Sequence, residues 1–211
     1  SGYPFPHIIV KNAIPDNLAQ SLTSNFPIDL FDDDKNNTRF DYSALEVTQD
    51  KSLASHWKEF IDYHSSESFF IEVLEVFKNN ISRNDYKKYR NMKTVKRGSE
   101  IHKQDKMYLD AQISINSPVT KSSSVRKIHV DNSNKLFSGL FYLRLPEDDS
   151  VGGNLELFEW KDGYSLRKKI KIYQEGLNPK FCSPVKEVEY ANNVGIIFLN
   201  SINSLHGVSE R

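Results

Sequence analysis

The chain has 211 residues, enough to bury a core of its own, with 28 basic and 28 acidic residues and no net charge. A neutral total provides no global attraction for nucleic acid or for an anionic membrane, so we expect neither as a partner. The single cysteine, Cys182, excludes an internal disulfide framework, and no apolar run approaches the ~20 residues of a membrane span. Since the opening residues lack a signal-peptide pattern, the sequence predicts one cytoplasmic domain.

The first half of the chain is predicted to be mainly helical. We expect a strand over residues 3–10, a helix from Pro15-Asp16 to about Ser24, and a loop over residues 28–50. Two more helices are predicted, at about 52–64 and 67–80. In the second of these, apolar side chains recur at helical spacing: Phe70, Val73, Leu74, Phe77 and Ile81.

A charged connector is expected over residues 83–106. Its basic and aromatic residues superficially suggest an RNA-binding strip, but Asp85, Glu100 and Asp105 interrupt the positive charge. Four histidines outside the second half are expected at surface or capping positions: His7, His56, His64 and His102.

From about residue 107 the period becomes strand-like. The predicted strands cover 108–115, 126–131, 137–145, 154–160, 170–173, 185–190 and 194–200. Gly152-Gly153 predicts a turn, because glycine adopts positive φ without penalty. Short strands separated by turn residues suggest a double-sheet jelly roll over 107–211, with residues 1–106 adding helical support and a first strand. The predicted class is therefore α+β.

Three side chains of this second half suggest a metal site. His129 and Asp131 are two residues apart, so in an extended strand they lie on the same face. His206, which follows the buried strand 194–200 in a turn-like segment, is the candidate third ligand. Two imidazoles and one carboxylate leave open coordination positions and suit Fe(II) that must also bind a co-substrate and O₂, whereas a closed zinc site wants four protein ligands.

The order of motifs around these residues resembles the 2-oxoglutarate/Fe(II)-dependent oxygenases, and within them the prolyl-4-hydroxylase-like group. The matching segments span roughly residues 107–208. They are His129-Val130-Asp131-Asn132, Leu140-Phe141-Tyr142-Leu143, Gly152-Gly153-Asn154-Leu155-Glu156-Leu157-Phe158, and Val194 to Asn200 leading to His206-Gly207-Val208.

The resemblance implies a double-stranded β-helix (the jelly roll) with Fe(II) bound by His129, Asp131 and His206. It implies 2-oxoglutarate and O₂ as co-substrates, hydroxylation of an unactivated C–H bond, and succinate and CO₂ as co-products. By the same resemblance, Tyr142 contacts a 2-oxoglutarate carboxylate, and Gln112 and Leu155 line its pocket. The substrate is a peptide, such as a prolyl side chain, or a small metabolite; the sequence does not choose between them, nor does it indicate an oligomeric state.

The chain departs from the family pattern in one respect. Relatives place an Arg or Lys nine to eleven residues after the distal histidine to hold the far carboxylate of 2-oxoglutarate, whereas Arg211 follows His206 by five. Arg144 and Arg126 are the alternative cations, and Arg211 is a third candidate. We expect that the native chain continues and supplies a further strand, because a roll without it would expose an unpaired edge.

Two other functions remain open. A cupin-like metalloenzyme would use the ion as a Lewis acid without 2-oxoglutarate, although cupins usually carry a further ligand close to the first pair. A non-catalytic jelly-roll binding module would be expected to have lost the triad.

Overall fold

The computed structural model describes residues 2–30, 35–161 and 176–211. The described residues form a mixed α+β structure with several antiparallel sheets, which confirms the predicted class. The helices are α1 (Asp16–Ser24), α2 (Ala44–Gln49), α3 (Ser55–His64), α4 (Glu67–Phe77) and α5 (Arg83–Arg90). The strands are β1 (His7–Lys11), β2 (Arg39–Tyr42), β3 (Lys93–Lys96), β4 (Lys106–Leu109), β5 (Ile113–Asn116), β6 (Phe137–Tyr142), β7 (Leu155–Trp160), β8 (Cys182–Val188), β9 (Val194–Leu199) and β10 (Leu205–Val208). The predicted strand 170–173 lies outside the described residues.

The chain divides into two compact units. The first contains residues 2–24, 35–38 and 116–211, and the second contains residues 25–30 and 39–115, as far as they are described. The candidate triad belongs entirely to the first unit. The expected arrangement, a single domain with helical support before residue 107, stays a prediction.

The first unit is built on two three-stranded sheets. One has the order β1-β9-β6 and the other β10-β7-β8, and every neighbouring pair in them is antiparallel. Side chains from both sheets share one buried cluster, which includes Leu155 and Leu157 of β7 with Ile196 and Phe198 of β9. The two sheets therefore pack face to face, and burial of these apolar side chains is the main stabilising contribution.

The register of each sheet fixes which residues lie beside the triad. His7 and Ser138 both pair with Phe198, so these three side chains form one row across the first sheet. His206 pairs with Leu157 in the second sheet. Because directly paired residues point to the same face, the row of Ser138 and the row of His206 both point into the shared interior.

The second unit is a helical cluster with two small sheets. Helices α2, α3 and α4 bury Val47, Trp57, Ile61, Phe70 and Leu74, and the Trp57 indole donates to the carbonyl of Asn25 at 2.9 Å. Strands β3 and β4 pair in parallel, while β2 pairs with β5. The predicted helices 52–64 and 67–80 correspond to α3 and to α4 with its 3₁₀ extension Lys78–Asn80.

The prediction of a loop over residues 28–50 was wrong. This segment contains β2 and α2, and α2 begins with a capping box in which the Ser43 hydroxyl accepts from Glu46 N while the Glu46 carboxylate accepts from Ser43 N. The Ser-x-x-Glu spacing is visible in the sequence and is a recognised start signal for a helix.

Two other sequence predictions in this unit need correction. The segment 83–106 is not a plain connector, since it holds α5 and β3, and the Ser82 hydroxyl caps α5 by accepting from Asp85 N. The predicted strand 108–115 is interrupted at Asp110, whose carboxylate accepts from Ala44 N at the start of α2 and from Arg97. Binding a helix terminus takes Asp110 out of the strand ladder.

His7 is not at the surface, as the sequence suggested, but is 1% exposed. Its Nδ1 donates to the carbonyl of Phe5 at 2.8 Å, and its Nε2 lies 3.4 Å from Lys186 Nζ. Burial, the largest cause, lowers the pKa of His7, and the Lys186 charge lowers it further, so the side chain is a neutral core residue.

Among the described residues, none of the helices combines the length and apolar character needed to cross a bilayer.

Candidate metal centre

His129, Asp131 and His206 lie together in the structure. Each offers one ligand atom, and these atoms all lie within 4.8 Å of one another. Both histidines are 6% exposed, and the Asp131 side chain is 14% exposed. The cluster is therefore buried on most sides, which distinguishes it from the acidic surface groups that commonly occur without an ion.

Backbone pairing brings the two histidines side by side. His129 N donates to His206 O at 2.8 Å, and His206 N donates to His129 O at 3.0 Å, which forms an antiparallel bridge. Their ring centroids are 4.3 Å apart. Since β10 also pairs with β7, the bridge fixes His129 to the edge of a complete sheet.

Each imidazole is held in one tautomer by a carbonyl two residues before it. His129 Nδ1 lies 2.8 Å from Lys127 O, and His206 Nδ1 lies 2.9 Å from Ser204 O. A neutral imidazole that donates from Nδ1 keeps its lone pair on Nε2, and this arrangement orients metal-binding histidines. Both rings thus present Nε2 as the ligand atom.

The Asp131 carboxylate is oriented by a short polar relay. Asn200 Nδ2 donates to Ser138 Oγ at 2.9 Å, and the Ser138 hydroxyl donates to Asp131 Oδ2. Lys135 Nζ approaches the same oxygen at 3.4 Å. The other oxygen, Oδ1, faces His129 Nε2 at 3.6 Å, so the relay leaves Oδ1 for a metal ion.

The electrostatics keep Asp131 and His206 in the protonation states that a metal needs. Burial alone would raise the pKa of Asp131. Two kinds of interaction outweigh burial and hold the pKa well below its ordinary value: side-chain contacts with His129 and the Ser138 hydroxyl, and electrostatic attraction to His206 and Lys135. Burial, helped by His129, lowers the pKa of His206 to about 4. The donor set near neutral pH includes an ionised carboxylate and an uncharged His206, which fits a divalent cation.

The sequence prediction brought the correct side chains together but gave the wrong backbone for two of them. Residues 126–131 do not form a regular strand, since their ladder is reduced to the single bridge between His129 and His206. His206 is not in a turn, because Leu205–Val208 is strand β10. Gly207 allows β10 to approach the backbone of Ile128 closely, because a Cβ at this position would lie only 3.1 Å from that backbone.

Three of the residues predicted to hold 2-oxoglutarate lie around Tyr190: Tyr142, Arg144 and Arg211. Tyr142 packs edge-on against Tyr190 at 5.5 Å between ring centroids, and the Arg144 guanidinium lies 5.3 Å from the same ring. Burial, the largest cause, raises the pKa of Tyr190, and the positive charge of Arg211 opposes this rise. Leu155 is buried in the core cluster against which Tyr142 packs.

The two predicted cations of this group differ in what they already bind. The Arg144 guanidinium donates to the carbonyls of Asp148 and Ser150, both within hydrogen-bonding distance. Arg211 Nη2 donates to Ser117 O at 2.6 Å, but its Nε is buried and, among the residues that the structure describes, has no hydrogen-bond partner. Gly152 and Gly153 both have positive φ, and Gly153 leaves room for the Arg211 side chain, whose Cδ would lie 3.3 Å from a Cβ at that position.

The remaining two candidates lie elsewhere. Gln112 is an exposed residue of the second unit, immediately before β5, and its role stays a prediction. Arg126 does contact the triad, because its Nε donates to His129 Nε2 at 3.3 Å.

Sequence reasoning missed Ser138, Asn200 and Tyr190. Serine and asparagine are common on strands and at strand ends, and neither position stands out by spacing or composition. Only the pairing of Ser138 with Phe198 on β9, two residues before Asn200, reveals the relay. A sequence signal existed for Tyr190 alone, as an aromatic residue at the end of an alternating segment.

Removing the Ser138 hydroxyl should weaken metal binding. In Ser138→Ala the Asp131 carboxylate loses the donor that fixes Oδ2, so we expect affinity for a divalent cation to fall about tenfold, as when outer ligand supports are deleted. Competition with a chromophoric chelator would measure this, and Ser138→Thr, which keeps a hydroxyl, should retain affinity. Equal affinities in wild type and Ser138→Ala would show that the relay does not orient Asp131.

The lowered pKa of His206 should make the stability of the metal-free protein depend on pH. Between about pH 6.5 and pH 4 the unfolded chain binds a proton at this residue and the folded protein does not, so the free energy of unfolding should fall as pH falls through this window, by about 3 kcal/mol. Asp131, whose pKa is lowered, loses its contribution only below pH ~4. Urea unfolding of wild type and His206→Gln, with chelator present, would measure the free energy of unfolding at each pH. This free energy should change less with pH in the variant, and an identical change in both proteins would contradict the lowered pKa of His206.

A scan against protein-family models and a search of curated proteins both find no match to this chain.

Proposed function

We propose that the protein is an Fe(II)- and 2-oxoglutarate-dependent dioxygenase that hydroxylates an unactivated C–H bond of a peptide or small-molecule substrate. The observation that carries the proposal is the grouping of His129, Asp131 and His206, whose ligand atoms all lie within 4.8 Å of one another. Both Nδ1 atoms are bound to backbone carbonyls, which leaves Nε2 for a metal ion. A 2-His-1-carboxylate set leaves open positions, which distinguishes it from a closed structural site.

The architecture of the first unit supports the same proposal. In chain order, β6 lies in one sheet, β7 and β8 in the other, β9 in the first again and β10 in the second. Alternation of this kind between two facing antiparallel sheets is typical of a jelly roll, and we infer that the unit is a double-stranded β-helix. The triad lies where β10 meets the segment that carries His129.

The proposed function requires ligands for iron and a cation for 2-oxoglutarate, and this chain has candidates for both. His129, Asp131 and His206 would hold the iron. Among the cations predicted to contact 2-oxoglutarate, Arg211 fits best, since its buried Nε lacks a partner within the described part of the chain and a carboxylate would satisfy it, whereas the Arg144 guanidinium is already engaged by carbonyls. When bound, iron with 2-oxoglutarate and O₂ supplies the oxidation of C–H to C–OH, with succinate and CO₂ as co-products.

The chain's own part in such a reaction is to position and to exclude water. Ser138 and Asn200 hold Asp131 through Oδ2, which would leave Oδ1 for the iron, and the two carbonyl-bound histidines would offer Nε2 to it. Phe198 packs on His206 at 4.8 Å between ring centroids, and Phe198 and Leu157 together form an apolar surface beside the triad. An apolar surface lowers the local dielectric constant and so strengthens electrostatic interactions inside the site.

The proposal is tested by an anaerobic titration of 2-oxoglutarate into the Fe(II)-loaded protein. Chelation of iron by a keto acid gives a weak visible charge-transfer band, which should appear in wild type and be absent in Asp131→Ala, whose fold should be retained by circular dichroism. If wild type binds iron at the triad but gives no band, the 2-oxoglutarate chemistry is wrong and a metalloenzyme of the cupin type replaces it.

The same titration tests the role of Arg211. Arg211→Gln should raise the Kd for 2-oxoglutarate about tenfold, the effect of losing one charge-assisted hydrogen bond, and should leave iron affinity unchanged. Arg144→Gln is the matched control, since its guanidinium is already occupied, and its Kd should change much less. A larger effect at Arg144 than at Arg211 would reverse the assignment.

A further inference from the structure

Two cations contact different members of the triad. Arg126 contacts His129, with Nε 3.3 Å from Nε2, and Lys135 contacts Asp131, with Nζ 3.4 Å from Oδ2. Both residues are exposed, and the Lys135 side chain is 52% exposed. Within the described residues, neither of these side chains forms another ion pair.

The Arg126 contact cannot coexist with a metal on His129. The Nδ1 proton of His129 is bound to Lys127 O, so Nε2 has a single lone pair, and that lone pair accepts from Arg126. An ion on Nε2 needs the same lone pair at about 2.1 Å. Metal binding therefore releases the guanidinium, which remains attached three residues before His129 and has lost its partner.

The charge of the loaded site then favours an anion. A divalent cation with one ionised carboxylate and two neutral imidazoles has a net charge of about +1, which the chelating carboxylate of 2-oxoglutarate would neutralise. The far carboxylate of 2-oxoglutarate would pair with Arg211, so the released Arg126 and Lys135 remain as two positive charges beside the site. Cations grouped beside an open metal position would raise the local concentration of anionic ligands.

Resting on the proposed function, we propose that Arg126 and Lys135 bind the anionic group of the substrate, so that the enzyme acts on a substrate with a carboxylate close to the oxidised carbon. Arg126 is the principal ligand for this group because its guanidinium can bind a carboxylate through two parallel hydrogen bonds. Lys135 adds a point charge beside Asp131.

The test uses the Co(II)-loaded protein, whose visible spectrum reports ligands that enter the metal's open positions. Acetate is the anionic probe and imidazole the neutral one. We expect Arg126→Gln to weaken acetate about tenfold and Lys135→Gln to weaken it severalfold, while imidazole binds equally well in all variants. Lys11→Gln, which removes a positive charge at the opposite end of the β1-β9-β6 sheet from Ser138, should change neither probe.

Metal affinity gives a second readout that a merely structural role would not produce. Because Arg126 competes with the ion for His129 Nε2, Arg126→Gln should bind Co(II) as tightly as wild type or more tightly, although it binds acetate less well. Unchanged acetate affinity in Arg126→Gln, or a parallel loss of acetate and imidazole, would overturn the proposal.

The affinity for 2-oxoglutarate separates the substrate from the co-substrate. If the cations serve the substrate, Arg126→Gln should keep the wild-type Kd for 2-oxoglutarate. A tenfold increase in that Kd, parallel to the loss of acetate, would assign the cations to the co-substrate and overturn the substrate assignment. Failure of the wild-type protein to bind Co(II) at the triad would instead overturn the proposed function itself.

Discussion

The candidate site depends on the backbone bridge between His129 and His206. Two hydrogen bonds, 2.8 and 3.0 Å long, join residues 77 positions apart and set both rings on the same side of the sheet. Strand β10 pairs in turn with β7. The position of His129 therefore depends on a sheet that is stabilised by its own buried face. A loop alone would not hold two imidazoles with their Nε2 atoms converging, because loops are the more mobile part of a fold.

A second constraint concerns charge. A carboxylate that is 14% exposed is costly unless its oxygens are satisfied, and Asp131 meets this requirement with the Ser138 hydroxyl and Lys135 on one oxygen. The same arrangement frees the other oxygen, so the interaction that stabilises the metal-free protein also defines the ligand geometry. Arg126 would have a comparable double role, since it donates to His129 Nε2 in this structure and would become available if an ion replaced it.

How far the sequence alone leads can be judged from particular residues. The two-residue spacing of His129 and Asp131, and the buried run before His206, were sufficient to select the triad. They could not show that His129 joins its sheet through one bridge only, because pairing partners and register depend on contacts distant in sequence. Long periodic segments such as α4 and β9 were predicted close to their observed bounds. The capping box of α2 was a local signal that the loop prediction overlooked, whereas the interruption at Asp110 depends on a tertiary contact with α2. Ser138 and Asn200 had no local signal at all, since their role comes from facing Asp131 across the fold.

The most direct test of the central claim is anomalous diffraction at the iron edge from crystals grown anaerobically with Fe(II). The account predicts one strong peak about 2.0–2.2 Å from His129 Nε2, His206 Nε2 and Asp131 Oδ1, the usual range for nitrogen and oxygen ligands of such metals, with the Arg126 guanidinium displaced from His129. A peak at another position, or an empty triad with Arg126 still bound to Nε2 at saturating iron, would contradict it.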